Sequence, residues 1–274
     1  MHQVTELKEI QSLALELLYL VDKFCKEQGI DYYLAYGTLI GTVRHHGFIP
    51  WDDDIDIWIK REEYRRFIDS FPKWGEDHGV YLNSAQTVPR KYNRAHAQVC
   101  LAKTTLIAND RCNEFKEGYF IDIFPLDGTP NNPLHRWLRL THLQLLKNIA
   151  TLAAYRGNVK NPSLKARLIA VVASVVKKID TQKTMLKYEK VASKSKCDDS
   201  EYVQVLTPAG RKGRNALIKS ENFDSTIQMS FETITASVPS GYDKILRNIY
   251  GDYMQLPPVE ARKPHHYFKL YIED

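Results

Sequence analysis

The amino-acid sequence predicts an α+β fold, a mixed β-sheet flanked by helices, with a basic helical insert. Three observations support this prediction. Residues 4–28 carry apolar side chains at the spacing of one helix face. Residues 54–59 alternate acidic or aromatic residues with isoleucine, as in a strand with one buried face. Residues 133–196 are rich in lysine and arginine and follow a mostly helical pattern, with breaks at Gly157 and Pro162.

The remaining elements follow in order along the chain. The first helix is expected to end at Gly29, because glycine readily adopts the left-handed conformation that closes a helix. Residues 31–36 are rich in aromatic side chains and predict a strand. Residues 61–71 predict a second helix, ended by Pro72. Two further strands are predicted at residues 81–84 and 95–101.

Length and composition indicate a folded chain. The 274 residues, 43% hydrophobic and 26% charged, suffice for one elaborated domain or two small ones and exclude intrinsic disorder. The four cysteines are scattered without C-x-x-C spacing, which argues against zinc or disulfides and fits a reducing compartment. The N-terminal residues lack the pattern of a signal peptide, and the apolar run 168–176 is too short to span a bilayer. We therefore expect a cytoplasmic protein.

Two acids in the alternating segment predict a metal site. Asp54 and Asp56 are expected on one strand face, because successive side chains point to opposite faces. With no basic residue between them, the carboxylates repel each other unless a cation binds there. Oxygen ligands of this kind favour a hard divalent ion, Mg²⁺ or alternatively Mn²⁺.

Two other interpretations of these acids remain. Asp52, Asp54 and Asp56 have the spacing of the first ligands of an EF-hand calcium loop. That loop requires glycine at its sixth position, where this chain has Ile57. A purely structural acidic edge strand is the second alternative.

The segment before these acids predicts a phosphate-binding turn. A strand ends at Gly37, and Thr38 is the expected N-cap of a short helix over residues 39–44. Free backbone N–H groups at a helix start favour anions, and Gly37 would allow close approach to the main chain. An ordinary strand-to-helix turn is the alternative, which the neighbouring acids disfavour.

A third acid lies in a second strand pattern, residues 118–127. Asp122 is flanked by apolar residues, and a buried carboxylate is costly unless it is paired or binds a metal. Asp122 is therefore a candidate metal ligand, general base, or both. A hydrogen-bonded buried acid without catalytic function is equally consistent with the sequence. Asp127, before Gly128, is predicted to be a turn residue.

Three blocks of the sequence resemble the LicD family of phosphotransferases. They are residues 37–57, residues 120–127, and residues 250–258 with the following His265 and His266. This family is similar to enzymes of the nucleotidyltransferase fold. The resemblance implies a nucleotidyltransferase-like core at residues 1–132, a basic helical insert at 133–198, and a C-terminal part, 199–274, that completes the core and substrate pocket.

The resemblance also implies an activity. A phosphoryl-alcohol group, with phosphocholine favoured, would pass from a CDP-linked donor such as CDP-choline to a hydroxyl of a cell-surface glycan or its lipid-linked precursor. Teichoic acid and lipopolysaccharide are such glycans. The reaction would release CMP and depend on magnesium. A nucleotidyltransferase that acts on an NTP and releases pyrophosphate is one alternative, and a non-catalytic glycan- or nucleotide-binding module is another.

By position, the family pattern assigns roles to individual residues. Asp54 and Asp56 match the metal pair, and Asp122 matches the third acid, as ligand and catalytic base. Gly37 and Thr38 match the phosphate turn. The other predicted substrate-binding residues are Arg44, His45, Trp51, Tyr250 and Asp252; aromatic faces suit a quaternary ammonium group.

The charge distribution predicts a further partner. Residues 133–196 contain fourteen lysines and arginines but two acids, a net charge of +12 in a chain of net charge +5. A solvated surface is the simplest interpretation. The size of the asymmetry and the adjacent apolar stretches indicate a binding surface. The family resemblance favours an anionic membrane surface or a lipid-linked acceptor as the partner, with the protein peripheral at the inner membrane face. Nucleic acid is not expected, because no recognised binding module is present.

Overall fold

The computed structural model describes residues 1–88, 92–108, 117–154, 171–205, 216–264 and 268–273. These residues form an α+β fold with a mixed sheet flanked by helices, as predicted. The helices are α1 (Leu7–Gln28), α2 (Tyr36–His45), α3 (Arg61–Glu76), α4 (Pro133–Ala153), α5 (Thr181–Ala192) and α6 (Tyr242–Tyr250), and residues 171–176 are also helical. The strands are β1 (His2–Val4), β2 (Tyr33–Leu34), β3 (Asp56–Lys60), β4 (Val80–Asn83), β5 (Ala97–Leu101), β6 (Thr104–Ala108), β7 (Phe120–Gly128), β8 (Tyr202–Val205), β9 (Ala216–Lys219), β10 (Thr226–Phe231), β11 (Ile234–Pro239) and β12 (Phe268–Ile272).

The central sheet has seven strands, in the order β2-β3-β7-β5-β4, with β8 and β9 extending from the far end of β7. β3 and β7 run parallel, and the other neighbouring pairs are antiparallel. β7 is the longest strand and pairs with β3, β5 and β8, so it organises the sheet. The start of β7 and the start of β3 consequently lie side by side.

α1 and α3 cover the sheet and form much of the core. α1 packs on β5 and β7, and α3 packs on β3, β4 and β7. The predicted apolar face of the first helix is buried at Ala14, Leu17, Leu18, Val21, Phe24 and Cys25. The helix begins at Leu7 rather than at residue 4, because His2–Val4 pairs with β12. Gly29 ends it in the left-handed conformation, as predicted, with φ of 58°.

The expected end of the second helix at Pro72 is wrong, because α3 continues through Pro72 to Glu76. An interior proline costs a helix roughly 3 kcal/mol. Aromatic packing on both sides of Pro72 offsets that cost, since the ring of Phe24 lies 5.2 Å from Phe67 and 5.3 Å from Trp74. Tertiary contacts, not local propensity, set the length of this helix.

The strand predicted at residues 31–36 is much shorter, because α2 begins at Tyr36. The backbone N–H of Ala35 bonds to the carbonyl of Asp56 at 2.9 Å, which joins the start of α2 to the start of β3. The strands predicted at 81–84 and 95–101 correspond to β4 and β5, with ends that differ by one or two residues.

The basic segment is helical in its described parts. α4 packs against α5 through an apolar face that includes Leu143, Leu146 and Ala150. After α5 the chain returns to the central sheet, where β8 pairs with the end of β7 at Asp127 and Gly128. Gly157 and Pro162 lie outside the described residues. The division of the chain at residues 132 and 198 stays a prediction.

Two smaller sheets complete the fold. β10 and β11 form a hairpin that packs against α2 and β2. A three-stranded sheet has the order β1-β12-β6, and pairs His2 with Ile272. Within the described chain, no helix combines the length and the apolar character needed to cross a membrane.

Candidate functional site

The parallel pairing of β3 and β7 places two of the predicted acids side by side. Asp56 and Asp122 are register partners, and the N–H of Asp122 bonds to the carbonyl of Ile55 at 3.0 Å. Register partners in a sheet project their side chains to the same face. On the other side of β7, Gln98 of β5 is the partner of Asp122. Three neighbouring strands therefore carry a row of polar residues, Asp56, Asp122 and Gln98.

The prediction that Asp54 shares a strand face with Asp56 is wrong, because β3 begins only at Asp56. Asp54 lies instead in the acidic loop, residues 52–54, that precedes β3. One carboxylate oxygen from each of Asp52, Asp53 and Asp54 lies within 4.8 Å of the others. Asp53 is absent from the predicted ligands, and Asp52 entered only in the calcium-loop alternative, although the run of three acids is visible in the sequence. Two buried side chains hold the loop backbone: Gln11 Nε2 donates to the Asp52 carbonyl at 2.8 Å, and the Tyr119 hydroxyl donates to the Asp53 carbonyl at 2.6 Å.

Electrostatic repulsion at Asp56 shows that its carboxyl group lies close to the other acids. Burial raises the pKa of the Asp56 carboxyl well above its ordinary value, and repulsion from Asp54, Asp122 and Asp52 raises it further. Such a cluster of oxygen donors, buried and mutually repelling, fits a hard divalent cation, which would compensate the charge.

Asp122 has a different environment. Burial works to raise its pKa, but His96, Arg94 and a hydrogen bond from Gln98 outweigh burial and hold the pKa below its ordinary value. Gln98 Nε2 donates to Asp122 Oδ1 at 2.9 Å, and His96 Nε2 lies 3.3 Å from the same oxygen. Asp122 is therefore an ionised carboxylate of fixed orientation, able to bind a cation or accept a proton.

Gln98 and His96 are residues that sequence reasoning missed. Gln98 is 1% exposed, and no described residue bonds to its Oε1. A polar residue inside the apolar run of β5 was the available signal, but only the strand pairing shows that its partner is Asp122.

The turn at the start of α2 differs from its prediction. Ala35, not Thr38, occupies the N-cap position, and Tyr36 begins the helix with a positive φ of 44°. Thr38 lies in the first turn, and its Oγ1 accepts a hydrogen bond from the backbone N–H of Asp56 at 2.9 Å. This hydrogen bond fixes the start of β3 relative to α2, and the Thr38 side chain that accepts it is only 4% exposed.

Gly37 borders the acidic loop. A Cβ atom at Gly37 would lie 2.8 Å from Asp52 Oδ2. The glycine therefore allows an acidic side chain to approach the α2 backbone closely, a contact that the sequence had suggested for a phosphate. Whether a substrate phosphate also binds at Gly37 stays a prediction.

Glycines likewise fix the linker, residues 46–51, between α2 and the acidic loop. A Cβ at Gly41 would lie 2.4 Å from the Gly47 carbonyl, so α2 and the linker touch through their backbones. Glu232, at the tip of the β10–β11 hairpin, accepts a bond from the Phe48 N–H at 3.0 Å, and its own N–H donates to the His46 carbonyl at 2.9 Å. The linker that leads to the acidic loop is thus held from both sides.

Arg44 and His45, at the end of α2, contact each other and the C-terminal part of the chain. Arg44 Nη1 donates to the Tyr253 carbonyl at 2.6 Å, and Arg44 Nε donates to His45 Nε2 at 2.9 Å. Burial, followed by the charges of Arg44 and His46, lowers the pKa of His45, so its ring is neutral and accepts this bond. Arg44 therefore connects the end of α2 to the C-terminal segment around Tyr250.

The remaining predicted substrate residues lie around the acids to different degrees. Burial raises the pKa of Tyr250, and the charges of Asp56, Asp52 and Asp54 add to it, which places the phenol near the acids although the residue is 44% exposed. Trp51, half-buried, has the guanidinium of Arg262 over its ring at 5.5 Å. Asp252 is exposed in a turn, where its carbonyl accepts from the Gln255 N–H at 3.3 Å.

The predicted turn role of Asp127 is wrong. Asp127 lies within β7 and is 5% exposed, and both its oxygens bond to Arg61, at 2.7 Å each. The strand extends through Gly128 because β8 pairs there. The local sequence around Asp127 gives no indication of this pairing. Asp127 is a structural acid at the end of the sheet opposite the acidic loop.

Comparison with known proteins gives a consistent result. The profile of the LicD/FKTN/FKRP nucleotidyltransferase domain matches residues 29–142, which include the acidic loop, Asp56 and Asp122. The chain is 32% identical over 274 residues to the lipopolysaccharide cholinephosphotransferase LicD of Haemophilus influenzae, covering 97% of this chain and 98% of that protein. Two matches are shorter. An uncharacterised Rickettsia typhi protein is 36% identical over 75 residues, 26% of this chain and 24% of that one. The mouse ribitol-5-phosphate transferase FKTN is 38% identical over 52 residues, 19% of this chain and 11% of that one.

Proposed function

Because the chain belongs to the LicD family of phosphotransferases, we propose that it transfers phosphocholine from CDP-choline to a hydroxyl of a cell-surface glycan or its lipid-linked precursor, releasing CMP. The observation that carries the proposal is the alignment of Asp56 with Asp122 next to the acidic loop. The family relationship to a cholinephosphotransferase of similar length supports phosphocholine as the group transferred.

We propose Mg²⁺, with Mn²⁺ as a substitute, as the cofactor. Asp54 and Asp56 would hold the ion, and Asp52 and Asp122 are further carboxylates within its reach. A bound Mg²⁺ would polarise the phosphorus oxygens and compensate the charge that develops on the leaving CMP. Four oxygen donors in a half-buried space support this assignment, because nitrogen and sulfur ligands would favour other metals.

Asp122 is the proposed general base. Its low pKa keeps it ionised at neutral pH, so it can accept a hydrogen bond from the attacking hydroxyl and take the proton as the new P–O bond forms. Gln98 would fix the orientation of Asp122 through the bond to Oδ1. Phosphoryl transfer depends chiefly on the position of the reacting groups and on charge compensation. The hydrogen bond from Gln98 to Asp122 would therefore increase the rate of transfer as well as stabilise the fold.

The donor would lie between α2 and the C-terminal segment. Arg44 presents a guanidinium at the end of α2, a group whose planar fork suits phosphate oxygens. Tyr250 and Trp51 offer aromatic faces near the acids, and aromatic faces bind quaternary ammonium groups such as choline.

The acceptor is proposed to be presented at an anionic membrane surface. Four large apolar residues lie on one side of α4 and are 51–61% exposed: Leu134, Trp137, Leu138 and Leu145. The opposite side of α4 packs on α5, which carries exposed lysines such as Lys183 and Lys187. An apolar helix face within a segment of net charge +12 fits the boundary of anionic headgroups and acyl chains at the inner membrane face.

A donor panel tests the proposed function. The protein would be incubated with CDP-choline, CDP-ethanolamine, CDP-ribitol or CDP-glycerol and Mg²⁺, and CMP release would be measured with and without a glycan acceptor. We expect CMP from CDP-choline, and none without divalent ion. If CMP were released from another CDP-alcohol and not from CDP-choline, that alcohol would replace choline in the proposed function. Pyrophosphate from an NTP would indicate a nucleotidyltransferase instead, and no turnover with any of them would indicate a binding module.

A further inference from the structure

Two arginines near the acidic loop have no acidic partner within the described part of the chain. Arg44 ends α2, and Arg262 follows the 3₁₀ turn Val259–Ala261. Among the residues that the structure describes, neither guanidinium forms an ion pair. The two are close enough that repulsion from Arg262 adds to the effect of burial in lowering the pKa of Arg44.

Each arginine is held in place by neutral groups. Arg44 donates to the Tyr253 carbonyl and to the neutral ring of His45. Arg262 Nε donates to the Pro257 carbonyl at 2.9 Å, and its guanidinium lies over the Trp51 ring. These contacts orient both side chains without reducing their charge. Arg44 Nη2 and both terminal nitrogens of Arg262 have no hydrogen-bond acceptor in the described part of the chain.

The position of the pair relates it to the acids. Trp51, under Arg262, directly precedes the acidic loop. Tyr253, which accepts from Arg44, lies three residues after Tyr250, whose phenol is in the field of the acids. Positive groups therefore border the negative cluster. A ligand that spans both would be an anion that also binds a divalent cation.

We infer that Arg44 and Arg262 together form a phosphate-binding site beside the acidic loop, with Arg262 as a substrate-binding residue. Two fixed guanidiniums with free N–H groups match the oxygens of a phosphate, because a planar fork can donate two parallel bonds. The anion would also remove the repulsion between the two side chains. This inference rests on the proposed function for its ligand, which is either the diphosphate of the donor or a phosphate carried by a lipid-linked acceptor.

Steady-state kinetics of Arg262→Gln and Arg262→Lys distinguish the two sources. For Arg262→Gln we expect a rise of about tenfold or more in the KM of the substrate whose phosphate binds there, since a hydrogen bond to a charged group contributes ~1.5–3 kcal/mol. Arg262→Lys keeps the charge but loses the fork, so its KM should be intermediate. A rise confined to CDP-choline assigns the donor diphosphate, and a rise confined to the acceptor assigns the acceptor phosphate. Arg65→Gln, an exposed arginine of α3, is the control and should leave both values unchanged.

Calorimetry with inorganic pyrophosphate tests the site independently of the reaction. The wild-type protein should bind pyrophosphate in the presence of Mg²⁺, and Arg262→Gln and Arg44→Gln should each weaken binding by about tenfold. If no CDP-alcohol is turned over, the proposed function fails while this measurement still decides the site. Equal pyrophosphate affinity in the wild type and both variants, with melting temperatures that show intact folds, would overturn the inference.

Discussion

Asp56 and Asp122 stand opposite each other on the only parallel strand pair of the described central sheet, and their pKa values move in opposite directions. Burial and three neighbouring acids raise the pKa of Asp56, whereas His96, Arg94 and Gln98 overcome burial at Asp122. A divergence of this kind separates the roles of two neighbouring carboxylates. A cation would stabilise the charged form of Asp56, whereas His96, Arg94 and Gln98 already stabilise the charged form of Asp122.

Asp56→Asn should abolish turnover without unfolding the protein. The change removes a proposed metal ligand, and metal catalysis contributes several kcal/mol, so kcat should fall at least ~100-fold. The melting temperature should stay equal or rise, because burial and repulsion disfavour the charged carboxylate. Mg²⁺ should raise the melting temperature of the wild type but not of Asp56→Asn. Asp69→Asn, on the exposed surface of α3, is the control. Wild-type turnover by Asp56→Asn would refute the metal assignment.

Gln98→Leu should lower kcat with little change in KM. The substitution removes the donor to Asp122 Oδ1 at nearly constant volume, and loss of a bond to a charged group costs ~1.5–3 kcal/mol. Because this bond orients the proposed base, its loss should lower kcat roughly 10–100-fold. Gln228→Leu, an exposed glutamine of β10, should have no effect. An unchanged kcat in Gln98→Leu would show that Gln98 has no part in positioning Asp122.

Gly41→Ala should impair both stability and activity. Alanine is the better helix former by ~1 kcal/mol, but its Cβ would meet the Gly47 carbonyl at 2.4 Å, and backbone cannot give way as a side chain can. Overpacking of this kind costs ~1–3 kcal/mol and would displace the linker that carries the acidic loop. Gly79→Ala is the matched control. With φ of 68° and nothing within 4 Å of the new Cβ, it should cost a similar ~1–2 kcal/mol but leave kcat unchanged. Urea denaturation and kcat measurements check both variants.

Asp127→Ala should be strongly destabilising, because it leaves the guanidinium of Arg61 buried without a partner. Both residues are at most 5% exposed, and breaking a buried pair costs ~3–5 kcal/mol. The double change Arg61→Met with Asp127→Leu should recover most of the loss, because two apolar residues need no ionic partner. Urea denaturation measures both free energies of unfolding. A single variant as stable as the wild type would contradict the assignment of Asp127 as a structural acid.

Trp137→Ser with Leu138→Ser should reduce binding to anionic vesicles. Each residue contributes exposed apolar area on α4, while the surrounding lysines would still attract headgroups, so binding should weaken without being lost. Flotation with anionic and neutral vesicles is the measurement, and Tyr19→Ser, at an exposed position of α1, is the control. Equal, negligible binding of the wild type to both kinds of vesicle would remove the membrane proposal.

The sequence predicted the elements whose periodicity is local. The buried face of α1 and the fold class follow from spacing alone. The expectation of one buried face in β3 is wrong, because Trp58, two residues after Asp56, is also buried, against Tyr36 and Phe223. Predictions failed where a distant contact decides the local structure. Thr38 is inside α2 because the start of that helix is fixed by Ala35 and β3. α3 continues past Pro72 because Phe24 of α1 packs against Phe67 and Trp74, which lie on either side of the proline.

The candidate site was predictable only in part for the same reason. Asp54, Asp56 and Asp122 stand out because acids interrupt apolar runs. Gln98 and Arg262 do not stand out, since each gains its significance from a partner far along the chain, Asp122 or Trp51. Strand pairing and the path of the C-terminal segment are the information that a single sequence lacks.

The pairing of β1 with β12 has a kinetic consequence. His2 meets Ile272 across 270 positions, a contact of very high sequence separation. Such contacts form slowly, because the entropy of closing a long loop must be overcome first. On the ribosome, the partner of β1 is absent until the residues up to β12 have been synthesised, at roughly 5–20 residues per second. β1 must therefore wait unpaired, and Tyr250 and Arg262, which precede β12, reach the acidic loop long after its acids have been synthesised. A nascent chain stalled before Tyr250 would contain the acids but lack the C-terminal residues proposed to hold the substrate.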